Sequence, residues 1–170
     1  MDADELRRRQ APLKQRYRQD PATAQVTLRA EGALDTALAC NVQTGRALVQ
    51  AGMHPATGGD GAAVCSGDML LEALVACAGV TLRAVATATG IPVRGGRVLA
   101  EGDLDFRGTL GVSKDVPVGF RAIRLTFELD TDATAEQRET LQRLTTRYCV
   151  VLQTLYQPPT LDVHLDARKT

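Results

Sequence analysis

Two periodicities take turns along this chain. "TAQVTLRAEG" and "LDTALACNV", spanning Thr23 to Val42, alternate apolar and polar residues, the two-residue period of a half-buried strand. Glu31-Gly32 between them is a turn signal, so a hairpin is expected there. "RALVQAG", entered through Thr44-Gly45, predicts a third strand. "MHPATGGDGAAVCSG" then reads as a Gly-rich loop, long enough to suggest a role of its own. From Gly67 the period changes: "GDMLLEALVACAGVTLRAVATAT" is apolar nearly all round and ends at Gly90 and Pro92. That predicts a helix over Gly67 to Thr89, buried on most sides. "GRVLAEGDLDFRGTL" and "GFRAIRLTFELD" alternate again, two long antiparallel strands joined by the polar "GVSKDVPV". Thr134 with Gln137 three residues later is a capping box for a second long helix, from Ala135 to Leu155. Its inner face would carry Leu141, Leu144, Tyr148, Val151, Leu152 and Leu155. Pro158-Pro159 stops it, and "TLDVHLDA" predicts a last strand.

Strands grouped around two long helices, with no regular βαβ alternation, predict an α+β fold on antiparallel sheet. The first twenty residues stand apart: "MDADELRRRQAPLKQRYRQD" places acids first and bases after, which suits a helix dipole. Pro12 should kink or split this helix near Ala11. Leu6, Leu13 and Tyr17 form a narrow apolar stripe, while Arg7, Arg8 and Arg9 mark a solvated face or an arm that lies on a partner subunit. The organisation expected is a charged helical arm over residues 1–20 and a single domain over 21–170.

Composition narrows the function. Lys+Arg and Asp+Glu both number 20, Trp is absent and aromatics make up 4% of the 170 residues. Neither a net field nor stacking platforms favour nucleic acid. The chain opens on no secretory apolar stretch. The run Met69 to Val80 contains Glu72 and is too short to span a bilayer, so a cytoplasmic protein is expected. In a reducing compartment cysteines are more often buried, metal-bound or redox-active than disulfide-bonded. Cys40, Cys65, Cys77 and Cys149 show no C-x₂-C spacing, and His54 and His164 are the sole histidines, so nothing asks for zinc. Ser66 lies in no G-x-S-x-G elbow and serves better as the cap of the long helix. Gly58-Gly59-Asp60-Gly61 lacks the Lys-Ser/Thr of a phosphate loop and reads as a turn. Cys77 and Cys149 each fall on a long helix; two such helices side by side could bring the sulfurs within bridging reach. Spacing alone equally allows two small core residues.

The residues around those cysteines carry a resemblance. "SGDMLLEALVACAG" resembles the first cysteine motif of the OsmC/Ohr superfamily (osmotically inducible protein C and organic hydroperoxide resistance proteins), and "RYCVVLQTL" the second. The Gly-Gly loop, the "GDLDFRGTLGV" strand and the order of elements are also similar, over about residues 23–166. The resemblance implies an OsmC-like branch: an intertwined homodimer with antiparallel sheets packed around two long buried helices. It implies a cysteine-dependent peroxidase acting on organic or lipid hydroperoxides without metal or flavin. Cys77 would be the peroxidatic thiolate and Cys149 the resolving thiol, and a dithiol, lipoyl-linked in one branch, would reduce their disulfide.

The chain also departs from the family. Asp68 stands where relatives carry Glu, one methylene shorter and nine residues before Cys77, hence on the opposite side of an unbroken helix. Glu72 is the alternative acid. The family's arginine belongs to the N-terminal hairpin; Arg29 and Arg46 are the candidates, and either suits a surface charge equally. Mid-helix, Cys77 gains nothing from its own helix dipole, and burial without a cation would raise its pKa. Val150 replaces a proline common after the second cysteine, a change expected to straighten the helix. Cys40 and Cys65 match no catalytic position; Cys65 reads as an inert thiol or a third redox participant, and His54 as a loop residue. The competing reading is an OsmC-like dimer that binds a small apolar ligand without peroxidase turnover.

Overall fold

The computed structural model describes residues 2–19, 31–34, 39–43, 48–111 and 113–166. The first helix, α1 (Ala3–Gln19), carries Asp4 and Glu5 in its first turn, and the Glu5 amide donates to Asp2 Oδ1 at 2.8 Å. Pro12 does not split it. A proline removes one ladder donor, and the remaining turns of this 17-residue helix hold without that bond. α1 rests against the long helix described below.

Strands β1 (Glu31–Leu34), β2 (Ala39–Gln43) and β3 (Leu48–Gly52) form an antiparallel meander. The turn expected at Glu31-Gly32 is not there: these residues lie within β1 and pair with Gln43 and Val42. The pairing of four consecutive residues overrides a two-residue local signal, as strand context generally overrides propensity. Thr23 to Ala30, the first strand expected, lies outside the described residues. The third strand stands where alternation placed it.

β4 (Val64–Cys65) adds to β3 in parallel, Ala51 opposite Val64 and Gly52 opposite Cys65. The Gly-rich loop before it turns tightly. A 3₁₀ turn over Pro55–Thr57 closes on Gly58 at φ 95°, and a Cβ on Gly59 would sit 1.8 Å from the Met53 carbonyl oxygen. Both glycines are there for the turn.

The apolar segment forms α2 (Ser66–Thr89), capped by Cys65 rather than Ser66 and ended by Gly90 at φ 69°. Its 24 residues are long and apolar enough, by composition, to cross a bilayer, more than the run Met69 to Val80 alone suggested. One side nevertheless packs within the chain: Leu74, Ala78, Leu82, Val85 and Ala86 recur at helical spacing and are buried. The other side is uncovered, with Val80 72% exposed and Leu70 and Ala73 also open. Burial on most sides is therefore not seen in a single copy.

β5 (Gly95–Asp103) and β6 (Ala122–Asp130) pair along their full length. Val98, Ala100, Ile123, Leu125 and Phe127 turn toward α2. Outward residues match in charge across the ladder: Arg97 faces Glu128 and Glu101 faces Arg124, with ion pairs at 2.5 and 3.6 Å. Both pairs are solvent-exposed, where water and salt screen them, so they set cross-strand register more than stability. The first of these strands stops at Asp103 rather than Leu110. The Asp105 side chain caps a short helix, α3 (Phe106–Thr109), accepting from the Arg107 amide, and that local bond competes with the ladder.

The capping box forms as expected. Thr134 Oγ1 accepts from the Gln137 amide, the Gln137 side chain accepts from the Thr134 amide, and α4 (Ala135–Tyr148) follows. It does not run on to Leu155. At Cys149 (φ −73°, ψ 108°) the backbone leaves the helical region, and α5 (Val150–Tyr156) begins afresh. Tyr148, expected inward, is 59% exposed. The segment expected as a last strand pairs with nothing in the described residues, and Leu161, Val163 and Leu165 stand at 81–96% exposure. Among the described residues the core forms two clusters along α2. One joins Val85, Ala86, Ile91, Ala133 and Leu141; the other joins Leu74, Ala78 and Cys149.

Candidate active site

The interruption at Cys149 decides the geometry. α2 and α5 are in contact, and Cys77 packs into the cluster that holds the fully buried Cys149. A helix start leaves its first amides without intrahelical acceptors. Here α5 begins beside α2, so the Val150 and Val151 N–H groups face the Cys77 sulfur. Burial pushes the Cys77 thiol up. The Val151 amide, the Cys149 thiol and the Val150 amide together outweigh it and bring the pKa below the ordinary thiol value. For Cys149 burial dominates and raises the pKa, and the neighbouring Cys77 adds to the rise. The two thus diverge, Cys77 becoming the more acidic thiol and Cys149 the less acidic.

Mid-helix placement on α2 therefore does not deprive Cys77 of helix-terminal stabilisation; the terminus belongs to the neighbouring helix. Val150 does not straighten the chain, and no cation among the described residues contributes to the shift. Arg29 and Arg46 lie outside the described residues.

The candidate acids are not brought to the sulfur within one copy. α2 is unbroken between Asp68 and Cys77, so nine residues separate them by about 13 Å along the axis and half a turn around it. Asp68 instead lines a hollow of 370 Å³ with His54, Cys65 and Phe120. Glu72 is exposed on another face. His54 is held as a loop residue, its Nδ1 accepting from the Ala56 amide at 3.0 Å and its ring stacked on Phe106. Cys65 is a free, half-buried thiol beside that hollow, 12 residues and about 18 Å of helix from Cys77. The side chain of Cys40 lies outside the described residues.

Sequence reasoning did not find four groups at this site. Thr81 had a signal: it lies four residues after Cys77, and its hydroxyl donates to the Cys77 carbonyl at 2.7 Å, a common bond for a helical threonine. The Val150 and Val151 amides had none, because backbone direction is not written in side-chain type. Nor had Gln153, whose Nε2 donates to the Thr146 carbonyl at 2.7 Å across the interruption. From Thr81 an apolar groove of 480 Å³ leads away between α1, α2 and α4, lined by Val80, Ala84, Ala88, Leu144 and Tyr148. Such a groove suits an apolar ligand.

The family model of OsmC-like proteins matches residues 58–164. The fold is similar to that of an OsmC-like protein from Mycoplasma pneumoniae, with 16% identity, coverage of 78% of this chain and 89% of that one, and a TM-score of 0.67. An organic hydroperoxide resistance protein OsmC from Legionella pneumophila is similar at 18% identity, 78% and 90% coverage and a TM-score of 0.61. One from Elizabethkingia anophelis, with thiocyanate bound, is similar at 14% identity, 79% and 91% coverage and 0.56. No curated protein matches the sequence.

Proposed function

This chain belongs to the OsmC-like protein family, and from that premise we propose that it is a cysteine-dependent reductase of organic hydroperoxides. The observation that supports this best is the Cys77–Cys149 contact at the start of α5, where backbone amides favour the Cys77 thiolate. Cys77 Sγ attacks the terminal oxygen of ROOH; an S–O bond forms, the O–O bond breaks, and RO⁻ takes a proton from water to leave as the alcohol. Cys77 is then a sulfenic acid. The Cys149 sulfur displaces the hydroxyl, which leaves as water with the Cys149 proton, and the disulfide forms. An external dithiol, lipoyl-linked in the reading from sequence, returns both sulfurs to thiols and is itself oxidised.

The apolar groove beside Thr81 favours bulky organic or lipid hydroperoxides over hydrogen peroxide. The working unit is a homodimer, placed in the cytoplasm. The uncovered stripe Leu70, Ala73 and Val80 on α2 and the unpaired apolar alternation of Leu161, Val163 and Leu165 are the surfaces a second copy would cover. A partner's Asp68, Arg29 or Arg46 would then complete the charge around Cys77. A second reading, ligand binding without turnover, is favoured by a cavity of 590 Å³ between β6 and α4–α5, lined by Ile123, Phe127, Leu152 and Leu155.

One equivalent of cumene hydroperoxide separates the two. The peroxidase loses two thiols and yields a Cys77–Cys149 disulfide by peptide mapping. Cys77→Ser abolishes the reaction, and Cys149→Ser stops at a sulfenic acid that dimedone traps. Unchanged thiols, or oxidation confined to Cys65, would sink the peroxidase reading in favour of the ligand-binding one.

A further inference from the structure

An uninterrupted helix through this region would send the Val150 amide to the Thr146 carbonyl and the Val151 amide to the Arg147 carbonyl. Neither amide follows that course. The backbone at Cys149 is extended, at ψ 108°, and both N–H groups face Cys77. The carbonyl that Val150 leaves behind does not go unpaired: Gln153 Nε2 donates to Thr146 O at 2.7 Å in a part-buried setting. The Cys149 amide still closes the end of α4 on Thr145 O, and the Gln153 amide opens α5 on Cys149 O, both at 2.9 Å. One side chain thus spans the interruption from its far side. Val150 offers no proline to enforce the break, so the helix could close if Thr146 O were vacant.

We propose that Gln153 is a positioning residue: its side-chain amide occupies the Thr146 carbonyl, keeps the helix interrupted at Cys149, and leaves the Val150 and Val151 amides turned toward the Cys77 sulfur. The proposal rests on reading Cys77 as the reactive thiol, but not on turnover. Among the described residues, the titratable group facing Cys77 is Cys149, from the α4–α5 junction. β5 and β6 present Val98, Ala100, Ile123, Leu125 and Phe127 to this cluster. α2 itself contributes Thr81, and α1 places Gln10 beside the adjoining groove. No carboxylate or cation among them competes for the effect.

The test reads alkylation of Cys77 by iodoacetamide against pH in the reduced full-length protein, followed by peptide mass spectrometry. Gln153→Leu and Gln153→Met both remove the donor and keep the bulk. In each, the inflection should move to higher pH and the rate at pH 7 fall about three- to tenfold, since one unit of pKa changes the thiolate fraction about tenfold. Val150→Pro added to Gln153→Leu restores the break, because proline fits the first position of a helix. It keeps the Val151 amide, so the inflection should return most of the way. An unmoved inflection in the single variants overturns the proposal. So does failure of Val150→Pro to restore it, or loss of the fold in both single variants, which would make Gln153 a general stability residue. A wild-type protein that turns over no peroxide yet shows these shifts refutes the peroxidase reading alone.

Discussion

Thr145 is fully buried and its hydroxyl has no hydrogen-bond partner among the described residues, one turn before Cys149. A buried unpaired hydroxyl costs about 1–3 kcal/mol, whereas an apolar group of the same shape costs nothing comparable. Thr145→Val should therefore leave stability unchanged or raise it by up to about 2 kcal/mol in urea unfolding. A loss above about 1 kcal/mol would mean the hydroxyl has a partner the fold does not display. The same accounting explains why Gln153 matters where Thr145 does not. A carbonyl freed by the helix break can be met by a long amide side chain, and a threonine held in the core cannot reach out for one.

The start of α4 and its end differ in how they were encoded. Thr134 and Gln137 bond only to each other's immediate neighbourhood, so four residues suffice to specify the cap. Thr134→Ala should lower stability by about 1 kcal/mol, seen as an earlier midpoint with an unchanged slope in urea. The end at Cys149 is not local. It needs Cys77, far away in sequence, as the destination of two amides, and Gln153 as the occupant of a carbonyl, so periodicity through Leu155 predicted one continuous helix. The same division holds among strands. β5 and β6 were legible from alternation, while the end of the first at Asp103 rests on the Asp105 cap. The turn expected at Glu31-Gly32 shows the reverse error, a local signal outvoted by pairing with β2. For the site, Cys77 was legible as a thiol on a long helix, whereas Cys149 was legible as a candidate thiol but not as the break between α4 and α5. The direction of their pKa shifts was not, because it comes from backbone donors.

As a whole, the chain has the mixed α and β architecture of OsmC-like structures, with both core clusters strung along one helix. The order of elements made that organisation readable, since a helix so apolar must have neighbours. Which of its faces those neighbours cover was not readable: Leu74 and Val80 are equally apolar, yet one is buried and the other 72% exposed. In solution the protein should show a mass near twice 18.2 kDa by light scattering, and Val80→Glu should return it toward the single-chain mass. A wild-type protein that stays at the single-chain mass throughout refutes the dimer.

The bare stripe on α2 has a thermodynamic corollary. If a second copy covers it, folding and association share one equilibrium, and mass action enters the stability of each chain. Each tenfold dilution then removes about 1.4 kcal/mol from the dimer relative to unfolded chains, and the melting temperature falls with concentration instead of remaining a constant of the sequence.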